Sequence, residues 1–104
     1  MPNIFEDIPE HIKEELFEEL AGKDGIRIER IVSEGQCTPP GVWLSQERNE
    51  WVLLLAGEAE LSFRNAGGKL YMRPGEHVLI SSGTEHRVEW TSTEEQTVWL
   101  AVHF

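Results

Sequence analysis

The sequence contains four histidines and one cysteine, the residue types best suited to bind a transition metal or to transfer a proton near neutral pH. His86 is the strongest candidate among them because it follows a turn, Ser81–Thr84, that separates two strand-like runs. The first run is Val78–Ile80, and the second carries His86, Val88 and Trp90 at alternate positions on one face. The sequence therefore predicts one candidate ligand at the mouth of a β-hairpin.

The remaining histidines have different surroundings. His103 lies in the last strand-like run on the same face as Trp99 and Ala101, so an inward-facing imidazole could reach the interior of the fold. The alternative is that His103 is a terminal residue that bonds only to backbone or water. His77 stands beside a turn and His11 stands among polar neighbours, so both are expected at the surface.

Alternating apolar and polar residues, and in residues 51–56 a continuous apolar run expected to be buried on both faces, indicate strands from residue 26 onward. The predicted strands lie within residues 26–33, 42–44, 51–56, 59–63, 69–72, 78–80, 86–90 and 97–104. Pro39 and Pro40 argue against a central strand between the first two, and Asn65–Gly68 closes a hairpin. About eight short strands at roughly ten-residue spacing are typical of a β-barrel or a double sheet.

Residues 9–21 are predicted to form an amphipathic helix. Pro9 is tolerated in a first helical turn, and Gly22 is a natural stop. The apolar stripe consists of Ile8, Ile12, Leu16, Phe17 and Leu20. We expect this stripe to pack on the barrel, and the alternative is a helix that binds a partner. The predicted organisation is a helical segment, 1–24, followed by one barrel domain, 25–104.

Composition limits the function further. A chain of 104 residues is large enough for a single core, and its net charge of −10 disfavours nucleic acid and anionic membranes as partners. No run is long and apolar enough to span a bilayer, and the N-terminus lacks a basic region followed by an apolar one, so we expect a cytoplasmic protein. The single cysteine, Cys37, has no adjacent base and is expected to be an unreactive turn residue.

The stretch that carries His86 resembles the second signature of the cupins, a family of small jelly-roll barrels. That signature reads G-x5-P-x-G-x2-H-x3-N, and Gly75, Ser81, Gly83, His86 and Trp90 reproduce its spacing. Ser81 replaces the proline and Trp90 replaces the asparagine. The resemblance implies an all-β cupin jelly roll, here with the predicted N-terminal α-helix packed on it.

The first cupin signature, G-x5-H-x-H-x3–4-E-x6-G, is matched only in its second half, by Glu50 and Gly57. In metal-binding members of the family the two histidines and the glutamate of this signature hold a divalent metal together with the histidine of the second. The histidine slots fall here at Trp43 and Ser45, or at Leu44 and Gln46. The resemblance therefore implies a possible divalent metal with Glu50 and His86 as ligands, to which Gln46 could add a carbonyl oxygen.

Several functions stay open at this point. The leading hypothesis is a small cupin that binds a small molecule or a loosely held metal, with Trp43, Trp90 and His103 lining the ligand pocket. Glu50 and His86 could instead form a hydrogen-bonded pair, which could also act as an acid–base unit. The alternatives are a metal-dependent oxygenase, isomerase or lyase, and a non-catalytic barrel that oligomerises or binds a partner. The family resemblance also implies a homodimer.

Overall fold

Two antiparallel β-sheets form the fold of this chain. The computed structural model describes residues 1–104 and contains eight strands and no helix. The strands are β1 (Leu16–Lys23), β2 (Ile26–Ser33), β3 (Glu50–Ala56), β4 (Ala59–Phe63), β5 (Lys69–Met72), β6 (His77–Ile80), β7 (His86–Thr91) and β8 (Thr97–His103). One sheet has five strands in the order β1-β2-β8-β3-β6, and the other has three in the order β5-β4-β7. The predicted all-β jelly roll is confirmed.

The core lies between the two sheets. Because side chains alternate across a strand, every second residue of β3, β4 and β8 points inward. The buried apolar cluster comprises Val52, Leu54, Ala59, Leu61, Met72, Ile80, Trp99 and Ala101. Leu54 and Met72 are its largest fully buried side chains. This cluster joins the two sheets, and the space beyond it is left for a cavity.

The predicted helix over residues 9–21 is wrong. Residues 9–15 have no regular structure, and Leu16–Lys23 form β1, which pairs antiparallel with β2. Lys23 pairs with Ile26 across a tight hairpin turn. The two turn residues are Asp24 and Gly25, which have φ values of 51° and 85°. An isolated helix of this length is marginal in water, whereas β1 pairs with β2 along its length, with one interruption between Glu19 and Ala21. The spacing of the apolar residues was compatible with either structure.

A buried arginine holds the N-terminal segment against the five-stranded sheet. The Arg30 guanidinium donates hydrogen bonds to the carbonyl oxygens of Ile4 (2.9 Å) and Glu6 (2.7 Å). It also forms an ion pair with Glu18 of β1, at 2.6 Å. The segment is therefore fixed by polar contacts from β2, without any helical structure of its own.

A second arginine fixes the loop between β2 and β3. Arg87 of β7 donates hydrogen bonds to the carbonyl oxygens of Thr38, Pro39 and Val42, at 2.9 to 3.0 Å. The predicted strand at residues 42–44 is reduced to a single bridge between Leu44 and His86. This bridge brings the loop to the open end of the barrel.

No helix of the structure is long and apolar enough to cross a bilayer.

Candidate functional site

A cavity of about 620 Å³ opens between the sheets, and we refer to it as the cup. One wall of the cup is apolar and is formed by Ile31, Val52, Leu61, Ile80, Val88 and Trp99. The polar lining residues are Glu15, Glu19, Arg27, Glu29, Ser45, Gln46, Glu50, His86 and His103, and Phe17 and Leu44 complete the lining. The volume lies in the range of pockets that hold small organic molecules.

Glu50 and His86 lie close together in the cup at the first positions of β3 and β7. Both are buried, with 8 % and 4 % of their surfaces exposed, and His86 Nε2 lies 4.0 Å from Glu50 Oε1. The other ring nitrogen, Nδ1, lies 2.9 Å from the carbonyl oxygen of Thr84. Because a carbonyl oxygen can only accept, this contact places the proton on Nδ1. In the neutral ring, Nε2 is then an acceptor that faces Glu50.

His103 lies on the other side of Glu50. Its Nε2 is 2.8 Å from Glu29 Oε1 and 4.0 Å from Glu50 Oε2. The hydrogen bond to Glu29 is buried, and Arg27 Nε lies 3.7 Å from the second oxygen of the same carboxylate. Glu29 is therefore compensated by two partners, and it holds the imidazole of His103 inside the cup.

Gln46 contacts Glu50 from the loop. Its amide nitrogen donates a hydrogen bond of 2.5 Å to Glu50 Oε1, and its backbone carbonyl accepts a bond of 2.8 Å from the amide of Gly83. The side-chain nitrogen, rather than the oxygen considered above as a metal ligand, is thus turned toward Glu50. Gln46 supplies the carboxylate of Glu50 with a neutral donor.

Glu15 is a further carboxylate of the cup, and it contacts Ser33 at the end of β2. It accepts a short hydrogen bond from the Ser33 hydroxyl, whose oxygen accepts a bond of 3.1 Å from the indole nitrogen of Trp99. Burial raises the pKa of Glu15, and the Ser33 hydrogen bond partly opposes this rise. Glu15 thus holds its proton to a higher pH than an exposed glutamate does.

Comparison with known proteins identifies the family. Residues 30–103 match the family model described as the cupin domain, which is more than half of the chain. This chain belongs to the cupin family. The resemblance inferred from the two signatures is thereby confirmed.

Several solved structures are similar to this chain over most of its length. A crystal structure from Ralstonia eutropha JMP134, described as a "putative mannose-6-phosphate isomerase", is 40% identical with a TM-score of 0.96, and the match covers 99% of this chain and 95% of that one. A cupin superfamily protein from Desulfitobacterium hafniense DCB-2 is 17% identical with a TM-score of 0.75, over 93% and 83% of the two chains. The polyketide cyclase RemF from Streptomyces resistomycificus is 23% identical with a TM-score of 0.73, over 88% and 65%. A search of curated proteins finds no match.

Four of the six predicted site residues of this cupin meet in the cup, namely Gln46, Glu50, His86 and His103. Trp43 and Trp90 are not part of its lining. Trp43 lies outside, with the guanidinium groups of Arg64 and Arg87 each 5.9 Å from its ring.

Trp90 is turned away from the cup by a β-bulge. Leu61 is opposite Val88 and Glu60 is opposite Trp90, so one extra residue, Glu89, interrupts the alternation of β7. The Trp90 ring stacks on Tyr71 on the outer face, with the centroids 6.3 Å apart. The expectation that His86, Val88 and Trp90 share one face therefore holds only up to the bulge.

The sequence did not reveal the carboxylates of Glu15, Glu19 and Glu29. Strand β2 alternates between an apolar face and a polar face, and the polar face, with Arg27 and Glu29, lines the cup. The position of Glu29 beside His103 follows from the pairing of β2 with β8. The feature of the sequence that could have predicted Glu29 as a site residue is the presence of charged residues on one face of strand β2.

The polar residues of the cup do not fit a firmly held transition metal, which takes three or four protein ligands. No group of three or more His, Cys, Asp or Glu side chains is arranged to hold a metal ion. Glu50 and His86 supply two donors, while His103 is bonded to Glu29. His11, His77 and Cys37 are at the surface.

Proposed function

We propose that this cupin binds a small organic molecule in its cup. The observation that carries the proposal is a cavity of about 620 Å³ whose apolar wall stands beside the ring of His86, a residue that is 4 % exposed and whose Nε2 makes no hydrogen bond to the chain. Apolar walls provide the free energy of binding for such ligands, and a few fixed polar atoms orient them. His86 and Glu50 are held by the chain itself, so these orienting atoms are in place before a ligand enters.

A phosphorylated sugar is disfavoured as the ligand of this chain, although the description of the Ralstonia eutropha relative refers to mannose-6-phosphate. A phosphate group needs cationic or amide donors. Arg27 is the only arginine or lysine in the lining, and it lies beside Glu29, whereas Glu15, Glu19 and Glu50 add further carboxylates. This charge distribution repels a phosphate.

A loosely held divalent cation is the second candidate for the cup. Its supporting observation is the gap of 4.0 Å between His86 Nε2 and Glu50 Oε1, which is too long for a hydrogen bond and separates two atoms that can both donate a lone pair. Such an ion would act as a Lewis acid. Elemental analysis of protein purified without an affinity tag tests this candidate: metal well below one equivalent per chain, unchanged in the His86→Ala variant, would contradict it.

Amide chemical shifts of the labelled protein, recorded with a library of small fragments and with a chelator present, test the main proposal. We expect fragments that shift residues of the cup. Leu44→Trp, at the mouth of the cup, should abolish these shifts, whereas Val42→Trp should leave them intact because Val42 is equally exposed on the same loop but does not line the cup. If no fragment perturbs residues of the cup, the proposal is wrong.

A further inference from the structure

We infer that the cup selects a small organic cation, an amine with an apolar body, and that its ammonium group lies between Glu50 and His86. The inference rests on the proposed function, since it names the class of molecule that the cup holds. It depends on the hydrogen-bonding state of His86, the charge of Glu50, and the shape of the remaining cavity.

His86 and Glu50 present two acceptors to the same space. Since Nδ1 of His86 donates to the Thr84 carbonyl, the lone pair of Nε2 points toward Glu50 Oε1 across 4.0 Å. Two acceptors do not bond to each other, and this distance exceeds that of a direct hydrogen bond even when the ring carries a second proton. A nitrogen about 2.9 Å from both atoms would satisfy both. An ammonium group has three N–H donors, so it can bond to each.

Glu50 makes no short contact with a cationic side chain, and the imidazoles of His86 and His103 lie 4.0 Å from its carboxylate oxygens. Its close partner, Gln46, is neutral, and the neighbouring His103 makes its short contact with Glu29 instead. A carboxylate that is 8 % exposed is costly to hold without a positive partner. A ligand cation would supply that partner, and Glu19 adds negative potential along the same lining.

The rest of the ligand must be apolar. Beyond the polar group the cup is bounded by aliphatic side chains of both sheets, among them Ile31 and Val52 of the five-stranded sheet and Leu61 and Val88 of the three-stranded sheet. Burial of hydrocarbon against this wall favours a short alkyl or aryl body over a sugar, whose hydroxyl groups would find few partners there.

Three probes of similar shape test the inference on the full chain in the presence of a chelator: 2-phenylethylamine, 2-phenylethanol and 3-phenylpropionate. Calorimetric titration should show the amine binding about ten- to a hundredfold more tightly than the alcohol, because its hydrogen bonds are charge-assisted. The carboxylate should show no binding. Equal affinity for the amine and the alcohol, or tighter binding of the carboxylate, would overturn the inference.

Variants of Glu50 and His86 test whether these two side chains cause the preference for the amine over the alcohol. Glu50→Gln should retain the affinity for 2-phenylethanol and reduce the preference for the amine to near unity. Glu47→Gln, on the loop before β3 and outside the cup, should change neither. His86→Phe keeps a ring without the acceptor, and it should also reduce the preference if Glu50→Gln does not fold. A preference that survives in a folded variant of either residue would refute the assignment.

The outcomes also separate this inference from the proposed function. If fragments occupy the cup but none of the three probes binds, the inference of a cation is wrong and the proposal of a ligand-binding cup stands. If no fragment occupies the cup, both are wrong.

Discussion

Replacement of Gly57 by alanine is the sharpest test of how the two sheets are joined. Gly57 occupies the turn between β3 and β4, with φ at 85°, and it lies directly against β8. A Cβ atom at this position would meet the Thr97 hydroxyl and lie 2.6 Å from the Thr97 Cα. Because the second contact is with backbone, rotation of a side chain cannot relieve it, and β8 would have to move away from the turn.

The expected loss of stability has two parts. The left-handed φ costs a residue with a Cβ about 1–2 kcal/mol, and forcing a methyl group into packed surroundings costs about 1–3 kcal/mol more. Gly57→Ala should therefore reduce the free energy of unfolding by about 2–5 kcal/mol, which lowers Tm by about 8 °C or more in a domain of this size. Urea denaturation followed by tryptophan fluorescence measures this loss.

Gly75→Ala is the matched control, since Gly75 has a φ of 90° and a Cβ there would meet nothing within 4 Å. It should lose only the backbone part, about 1–2 kcal/mol. If the two variants lose the same free energy of unfolding within about 0.5 kcal/mol, the close approach of Thr97 has no energetic consequence and the reasoning fails.

Three further predictions concern charge, the loop and assembly. Burial raises the pKa of Glu15 above its ordinary value of 4.5, so its contribution to stability is complete below that value and is lost as the pH rises through the folded-state pKa. Glu15→Gln should therefore make the free energy of unfolding, measured by urea denaturation, higher at neutral pH and less dependent on pH. An unchanged pH profile of that free energy would contradict this prediction. Arg87→Lys should destabilise the fold by about 1–2 kcal/mol in the same assay and speed amide exchange in the loop before β3, because an ammonium cannot match the planar fork of a guanidinium on three carbonyls. Arg64→Lys, in an exposed ion pair, should have almost no effect, and equal losses in the two variants would contradict this account. The family resemblance implies a homodimer, and we propose that it forms through the outer face where Leu79, which is 54 % exposed, pairs with Trp51. Sedimentation equilibrium should then give a dimer that Leu79→Glu dissociates, and a monomeric wild type would refute this.

The barrel could be predicted from the sequence because most of its strands have a recognisable local pattern of apolar residues. Strands β2 to β8 carry apolar alternation or, in β3, a continuous apolar run between turn residues, and the two cupin signatures fall on them in order. Strand β1 could not be recognised by its apolar residues. The side of β1 that faces the cup carries polar residues on either side of Phe17, and the apolar residues predicted to form a helical stripe fit a helix equally well. The signal that resolves the ambiguity is Asp24-Gly25, a pair typical of two-residue hairpin turns.

The residues of the candidate site that belong to a cupin signature could be predicted from the sequence. The residues that are placed by pairing between strands far apart in the sequence could not. Glu50 and His86 were found by spacing, and His103 by its place on the last strand. Glu29 enters the cup because β2 pairs with β8, and Glu15 enters because it directly precedes β1 and lies on the same side as Phe17. These are contacts between segments far apart in the sequence, which no local pattern specifies.

The bulge at Glu89 has a consequence for any alignment of this strand. In regular alternation a residue inserted into a strand exchanges the two faces of everything that follows. Here the extra residue is absorbed locally: Thr91 is buried opposite Ala59, as it would be in a strand one residue shorter. Deletion of Glu89 would thus leave His86 and Val88 inside and Trp90 outside. Positions counted from His86 correspond in space only as far as Val88, and an alignment of β7 with an unbulged strand needs its gap immediately after that residue.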